Sequence, residues 1–233
     1  MQTEKNRVKT PENGREAEKV TVSQTVIRRL PRYFRYLREL IRQGKTRISS
    51  GELSDMMGVT ASQIRQDLNC FGGFGQQGYG YNVNYLYTRI CDLLGVGAGI
   101  RAVIVGAGDL GRALVRAPMF EKRGVDIVAM FDVDPQLIGR SVGGVSIRNV
   151  SELESFCEKN FVDMAVLTLP KEHAEEVATR LIACGVRGLW NFTSKEIDTD
   201  GDVVVENVHL GDSLMILNYQ ICHPTDDLKK KRK

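Results

Sequence analysis

The chain has 233 residues, enough for one large domain or two small ones with a packed core. Residues 1–80 carry 14 lysines and arginines against 8 acids, residues 81–228 carry 13 against 21, and residues 229–233 are all basic. A basic head on an acidic body points to a polyanionic partner for the head, nucleic acid first, with a merely solvated basic face as the alternative. Five scattered cysteines without a Cys-x-x-Cys pair speak against a metal centre, and no apolar run of about 18 residues is present to span a membrane. With a polar, charged N-terminus in place of a leader, the expectation is a cytoplasmic protein with reduced thiols.

Residues 1–22 are polar and aperiodic, and are expected to form a mobile arm. From Thr25 a helical pattern places Ile27, Leu30, Phe34, Leu37 and Ile41 on one face, and Pro31 must fall near the helix start or kink it. Eight basic residues lie between Arg28 and Arg47, among them Arg29, Arg32, Arg35 and Arg47, opposed only by Glu39. In "SSGELSDMMGVTASQIRQDLNCFG", Ser49 or Ser50 caps a short helix carrying Leu53 and Met56, and Gly58 ends it in the left-handed conformation. Thr60 starts a second helix, with Gln63 completing a capping box. Two short helices around a glycine turn predict a helix-turn-helix, and the glycine–aromatic alternation of "FGGFGQQGYGYNV" predicts a wing. A helix with Leu86, Ile90, Leu93 and Leu94 follows, closing at Gly95.

Strands at 101–105, 126–132, 162–168 and 186–191 then alternate with helices at 109–117, 151–159 and 171–184, which implies a parallel sheet with crossover helices. "GDSLMILNYQIC" reads as a short apolar helix with little room on that sheet. The expected fold is therefore α/β: a winged helix-turn-helix over 23–84, a Rossmann-type domain over 85–207, and a terminal helix with a basic tail over 208–233.

Two stretches carry chemistry. "AVIVGAGDLGRALV" is a strand, a glycine turn and a helix start, with Gly106, Gly108 and Gly111 completing G-x-G-x-x-G. Gly106 permits the turn, Gly108 admits a pyrophosphate to the backbone, and Gly111 lets helix and sheet approach. Asp132 ends the next strand, where a carboxylate bonds ribose hydroxyls and repels a 2′-phosphate, favouring NAD(H). A tight structural turn without ligand is the competing reading. In the helix-turn-helix, Ser62, Gln63, Arg65, Gln66 and Asn69 are the candidate base-reading side chains, and the arginines of 28–47 the candidate phosphate contacts. Catalytic groups are harder to find. His173 and His223 read as surface residues; His209, in "ENVHLGD", is the one expected near a pocket, with no carboxylate partner to mark it as a base.

Together, "RLPRYFRYL", "RISSGELSDMMGVTASQIRQDL", "FGGFG", "GYGYNV", "IVGAGDLGRAL", "FDVDPQLIG", "LTLP" and "VENV" resemble the Rex family of redox-sensing transcriptional repressors over roughly residues 25–221. The resemblance implies an NAD(H) site on Gly106, Ala107, Gly108, Asp109, Leu110, Gly111, Asp132 and Pro170. It also implies a homodimer with exchanged C-terminal helices, which binds palindromic DNA when NAD⁺ is abundant and releases it as NADH accumulates. Four residues depart from the family pattern on the DNA side: Gln66 stands where a basic residue is usual, "NC" (Asn69 and Cys70) where "SY" is, and Gln77 where a wing arginine is. In the switch, Ala117 replaces a tyrosine beside the nicotinamide and His209 an aspartate that answers an arginine, here Arg35. A redox response that is reduced or lost is the corresponding expectation. An NAD-dependent oxidoreductase, or a CoA- or nucleotide-binding interaction module with a basic appendage, is the alternative.

Overall fold

A computed structural model describes residues 23–70, 75–76, 79–199, 201 and 203–223. The N-terminal arm, Gln77 and the basic tail, all singled out above, lie outside these. The chain divides into two compact units, with the boundary between Leu94 and Gly95.

In the first unit the helix expected from Thr25 is two helices. Ser23 caps α1 (Gln24–Ile27), and Pro31 falls in the first turn of α2 (Leu30–Arg42), where its missing N–H has no helical partner to lose. Ile27, expected on the buried face, is 39% exposed, because the break at Arg28–Arg29 separates it from the α2 stripe of Leu30, Phe34 and Leu37. After β1 (Arg47–Ile48), α3 (Ser50–Met57) opens with a full capping box between Ser49 and Glu52 and closes at Gly58 with φ 61°. Met57 rather than Met56 is its fully buried methionine. Thr60 caps α4 (Ala61–Asn69) through the Gln63 N–H at 3.1 Å, but the expected reciprocal bond is absent: the Gln63 side chain donates to Asp67 instead. Strands β2 (Gly75–Gln76) and β3 (Gly80–Asn82) complete an antiparallel sheet in the order β1–β3–β2. Gly80, with φ 68°, is required there, since a Cβ would stand 2.7 Å from the Ile48 carbonyl oxygen.

Helix α5 (Val83–Leu93) belongs to this unit, whereas the expectation from the sequence places the chain from residue 85 onward in the nucleotide-binding domain. Leu86 and Ile90 are fully buried, and Tyr87 stacks on Phe34 of α2 with ring centroids 5.3 Å apart. The amphipathic stripe is legible in sequence, but which side of a boundary it packs on is a tertiary fact.

The second unit is a doubly wound α/β sheet. It comprises β4 (Ile100–Val105), α6 (Asp109–Arg116), β5 (Val125–Asp132), β6 (Ser141–Val142), β7 (Val145–Asn149), α7 (Leu153–Asn160), β8 (Met164–Leu167), α8 (Ala174–Ala183), β9 (Gly188–Asn191), β10 (Val204–Asn207) and α9 (Leu210–Cys222). The strand order is β10–β9–β8–β4–β5–β7–β6, parallel throughout except for the β6–β7 hairpin. Val103 and Val105 of β4 enter one apolar layer with Phe131 and Leu167, while Ile104 enters the other with Met130 and Val166. Burial on both faces explains why these strands read as continuous apolar runs. The hairpin and β10 were not foreseen: β6 is two residues long, and β10 is half-exposed at the sheet edge.

Candidate nucleotide cleft and nucleic-acid face

The glycine turn between β4 and α6 is clamped from several sides. Gly106 has φ 103°, and a Cβ there would overlap the Thr168 carbonyl; its own N–H donates to the Phe131 carbonyl at 2.8 Å. The Thr168 hydroxyl donates to the Gly106 carbonyl at 2.8 Å. A Cβ on Gly111 would overlap that same carbonyl and stand 2.9 Å from the Thr168 hydroxyl, so Gly111 is what allows α6 to approach the turn. Gly108 is different. Its φ is −66° and nothing lies within 4 Å of a built Cβ, so its side faces open space. Beyond it stand the first-turn N–H groups of α6, which a helix leaves without internal partners and which favour an anion.

The turn opens onto a cleft of about 380 Å³ at the carboxyl ends of the strands, bordered by Gly106, Gly108, Asp132, Pro170, His173 and Arg180. This is the crevice where doubly wound sheets bind nucleotides. Asp132 is anchored more firmly than the sequence implied. One oxygen accepts the Ala107 N–H at 2.6 Å, and the other accepts the N–H groups of Val133 and Asp134 at 2.8 and 2.9 Å. The acid thus ties the end of β5 to the glycine turn besides facing the cleft. Leu110 packs inward against the apolar layer, while Asp109 is fully exposed and pairs with Arg112 at 2.6 Å.

His173, read above as an ordinary surface residue, is exposed but borders this cleft. Arg180 escaped sequence reasoning altogether. Its guanidinium donates to Glu154 at 2.5 and 3.0 Å and to the Val150 carbonyl at 3.0 Å, fixing one wall of the cleft. The hydrogen bond from Arg180 pulls the Glu154 carboxyl below its ordinary range. No signal in the local sequence links residues 154 and 180.

In the first unit, α3 and α4 form the two-helix motif and β2–β3 the wing. Ser62, Arg65, Gln66 and Asn69 lie exposed along one face of α4. Arg65 donates to the Ser50 hydroxyl at 3.0 Å and Arg47 to the Tyr79 carbonyl at 3.2 Å, both at the exposed surface. Three candidate contacts turn inward. Arg32 donates to the Met57 carbonyl. Arg29 and Gln63 both donate to Asp67, whose side chain is fully buried. Burial pushes the Asp67 carboxyl up, but bonds from Arg29, Gln63 and Tyr33 outweigh it and leave the pKa below the ordinary carboxylate value.

Residues 21–69 match a family described as "Putative DNA-binding protein N-terminus", and residues 99–195 match the family "CoA binding domain". The chain is 52% identical over 204 residues to the redox-sensing transcriptional repressor Rex of Caldicellulosiruptor saccharolyticus, covering 88% of this chain and 93% of that protein. It belongs to the Rex family. The Rex protein of Thermoanaerobacter pseudethanolicus is 46% identical over 217 residues, 93% of this chain and 96% of its own. Among solved structures, the Rex-family repressor RSP in complex with β-NAD⁺ and operator DNA superposes with a TM-score of 0.84 at 47% identity, covering 91% of this chain and 96% of that one. RSP in complex with β-NADH gives 0.82 at 44% identity, covering 91% and 99%.

The three residues that the Rex resemblance marks as a switch fall on both units. Arg35 is exposed on α2 of the first unit. Ala117 is half-buried at the C-terminus of α6, its N–H donating to the Leu114 carbonyl at 3.0 Å. His209 precedes α9 and does have a carboxylate neighbour: Glu196 Oε1 lies 4.0 Å from its Nε2. Glu196 follows a turn fixed by buried Asn191, whose amide donates to the Lys195 carbonyl and to Asn207 Oδ1, both at 2.7 Å. His209 and Glu196 line a second, open cleft before α9, apart from the glycine turn.

Proposed function

We propose that this protein is an NAD(H)-responsive transcriptional repressor that binds palindromic operator DNA as a homodimer. The observation that carries this reading is the open side of Gly108 beneath free helical N–H groups, in a chain whose other unit presents an exposed α4 face beside a wing. The RSP complexes with β-NAD⁺ and operator DNA and with β-NADH support the same assignment. Asp132 at the cleft favours NAD(H) over its 2′-phosphorylated form. We read the protein as a cytoplasmic regulator and not as a catalyst.

The dimer is assigned to α9. Leu214, Ile216, Leu217 and Ile221 are each 52–60% exposed in the single chain, and a partner subunit is the cover that the Rex resemblance supplies. The redox response is weakened by Ala117 and His209. Alanine brings no hydroxyl to the nicotinamide, and the histidine faces Glu196, where the family pattern has an aspartate answering an arginine.

Titration of the purified dimer with NADH and NAD⁺, with and without operator, tests both statements. Linked affinities are expected, because coupling between two sites is reciprocal. The natural protein should release DNA weakly with NADH, and Ala117→Tyr combined with His209→Asp should strengthen release. Equally strong release by both refutes the weakened switch; substrate turnover without DNA would return the oxidoreductase reading.

A further inference from the structure

The carboxylate of Asp67 is the one fully buried charge of the first unit among the described residues, and it is saturated with donors. Oδ2 accepts from Arg29 Nε at 2.7 Å and from the Tyr33 hydroxyl at 2.9 Å. Oδ1 accepts from Arg29 Nη2 at 2.7 Å and from Gln63 Nε2 at 2.8 Å. Arg29 joins α1 to α2, Tyr33 is in the first turns of α2, and Asp67 and Gln63 are on α4, so one carboxylate ties three helices.

We propose that Asp67 is a positioning residue for sequence-specific DNA recognition: its bidentate bond with Arg29 sets the seating of α4, and its bond with Gln63 removes that amide from base reading. The proposal rests on α4 being the recognition helix of an operator-binding protein. The geometry supports it in two ways. Ser62, Arg65, Gln66 and Asn69 share one exposed helical face at i, i+3, i+4 and i+7, while Ile64, Asp67 and Leu68 form the buried one. Any roll or tilt of α4 therefore moves all four candidate readers together. Apolar contacts at Ile64 and Leu68 tolerate small rotations, whereas a planar fork on a carboxylate holds distance and angle at once. Buried polar pairs fix register in this manner where they do not add stability.

Gln63 looks like an adenine reader in sequence. In the structure one N–H of its half-buried amide is held by Asp67, whereas a bidentate adenine contact needs the amide's NH₂ and carbonyl both turned outward, so the proposed reading set is the four exposed residues.

The test uses the full-length dimer and an operator selected by the natural protein from random duplex DNA. Arg29→Lys keeps the charge and loses the fork; Tyr33→Phe removes one bond and is the milder variant. Operator affinity is compared with that for an unrelated duplex of equal length, alongside melting temperature and NADH affinity. The ratio of specific to non-specific binding should fall about 30-fold in Arg29→Lys and several-fold in Tyr33→Phe, with non-specific and NADH affinities unchanged. A purely structural role would lower the melting temperature and leave the ratio unchanged in the folded variants, and that outcome overturns the proposal. In Gln63→Ala, repeat selection should recover the same preferred base at every operator position; loss of preference at one position makes Gln63 a reader and overturns its assignment. A natural protein that selects no operator would refute the DNA-binding function itself, and this proposal with it.

Discussion

Substituting Gly108 by valine separates ligand binding from folding more cleanly than any other change in the glycine turn. Its φ of −66° is open to every residue, and no atom lies within 4 Å of a built Cβ. Replacing glycine at a helix N-cap costs about 1 kcal/mol, of which about 0.5 kcal/mol is offset by the reduced freedom of the unfolded chain. The melting temperature should therefore move by only about 1–2 °C. The isopropyl group, however, occupies the space through which a pyrophosphate reaches the first-turn N–H groups of α6. Each charge-assisted bond contributes about 1.5–3 kcal/mol, so losing two weakens NADH by about 10²- to 10⁴-fold. Calorimetric titration measures this directly. A second readout is thermal: ligand at about 100 times Kd stabilises the natural protein by about 2.7 kcal/mol, and the valine variant should show no such shift. Gly111→Ala is the contrasting control, because its Cβ would overlap the Gly106 carbonyl; it should cost about 3 kcal/mol of stability through backbone displacement. Unchanged NADH affinity in a folded Gly108→Val protein would refute the placement of the pyrophosphate.

Asp132→Ala leaves the N–H groups of Ala107, Val133 and Asp134 without their acceptor, so it should lower stability by about 1–3 kcal/mol and weaken NADH while narrowing its advantage over NADPH. An alanine variant with native melting temperature and native selectivity would contradict this. Truncation before Ser213 removes the exposed apolar residues of α9, each worth about 1.5–3 kcal/mol when covered, and should give monomers or aggregates by light scattering that no longer bind a palindrome; a truncated dimer with normal DNA binding would exclude the assigned interface. In the capping box of α3, Lys45 first, then the Ser49 N–H and hydroxyl, hold the Glu52 carboxyl down at about 2 from its ordinary 4.5. Because the folded value is the lower one, its contribution is present above pH 4.5 and lost as pH falls through about 2, and Glu52→Gln should flatten acid unfolding in that window.

Local signals in this sequence were enough for much of the fold. The glycine turn, a serine cap at 49 or 50, the left-handed Gly58 and the alternation of strands with helices depend on φ requirements and short periods, which neighbouring residues fix. The parallel sheet followed from that alternation, and its strands are apolar throughout because both faces are buried. Partnerships between distant residues were not legible. Arg29 and Gln63 carry the side chains of a nucleic-acid face, yet both are drawn inward by a carboxylate whose burial only the packing of three helices creates. Arg180 acquires its place in the cleft from Glu154, and His209 its carboxylate neighbour from a turn held by Asn191 and Asn207. The α5 stripe was visible, but the surface it covers was not. A periodic pattern says that a face will be buried; tertiary structure decides against what, because desolvation and pairing energies depend on groups far apart in the chain.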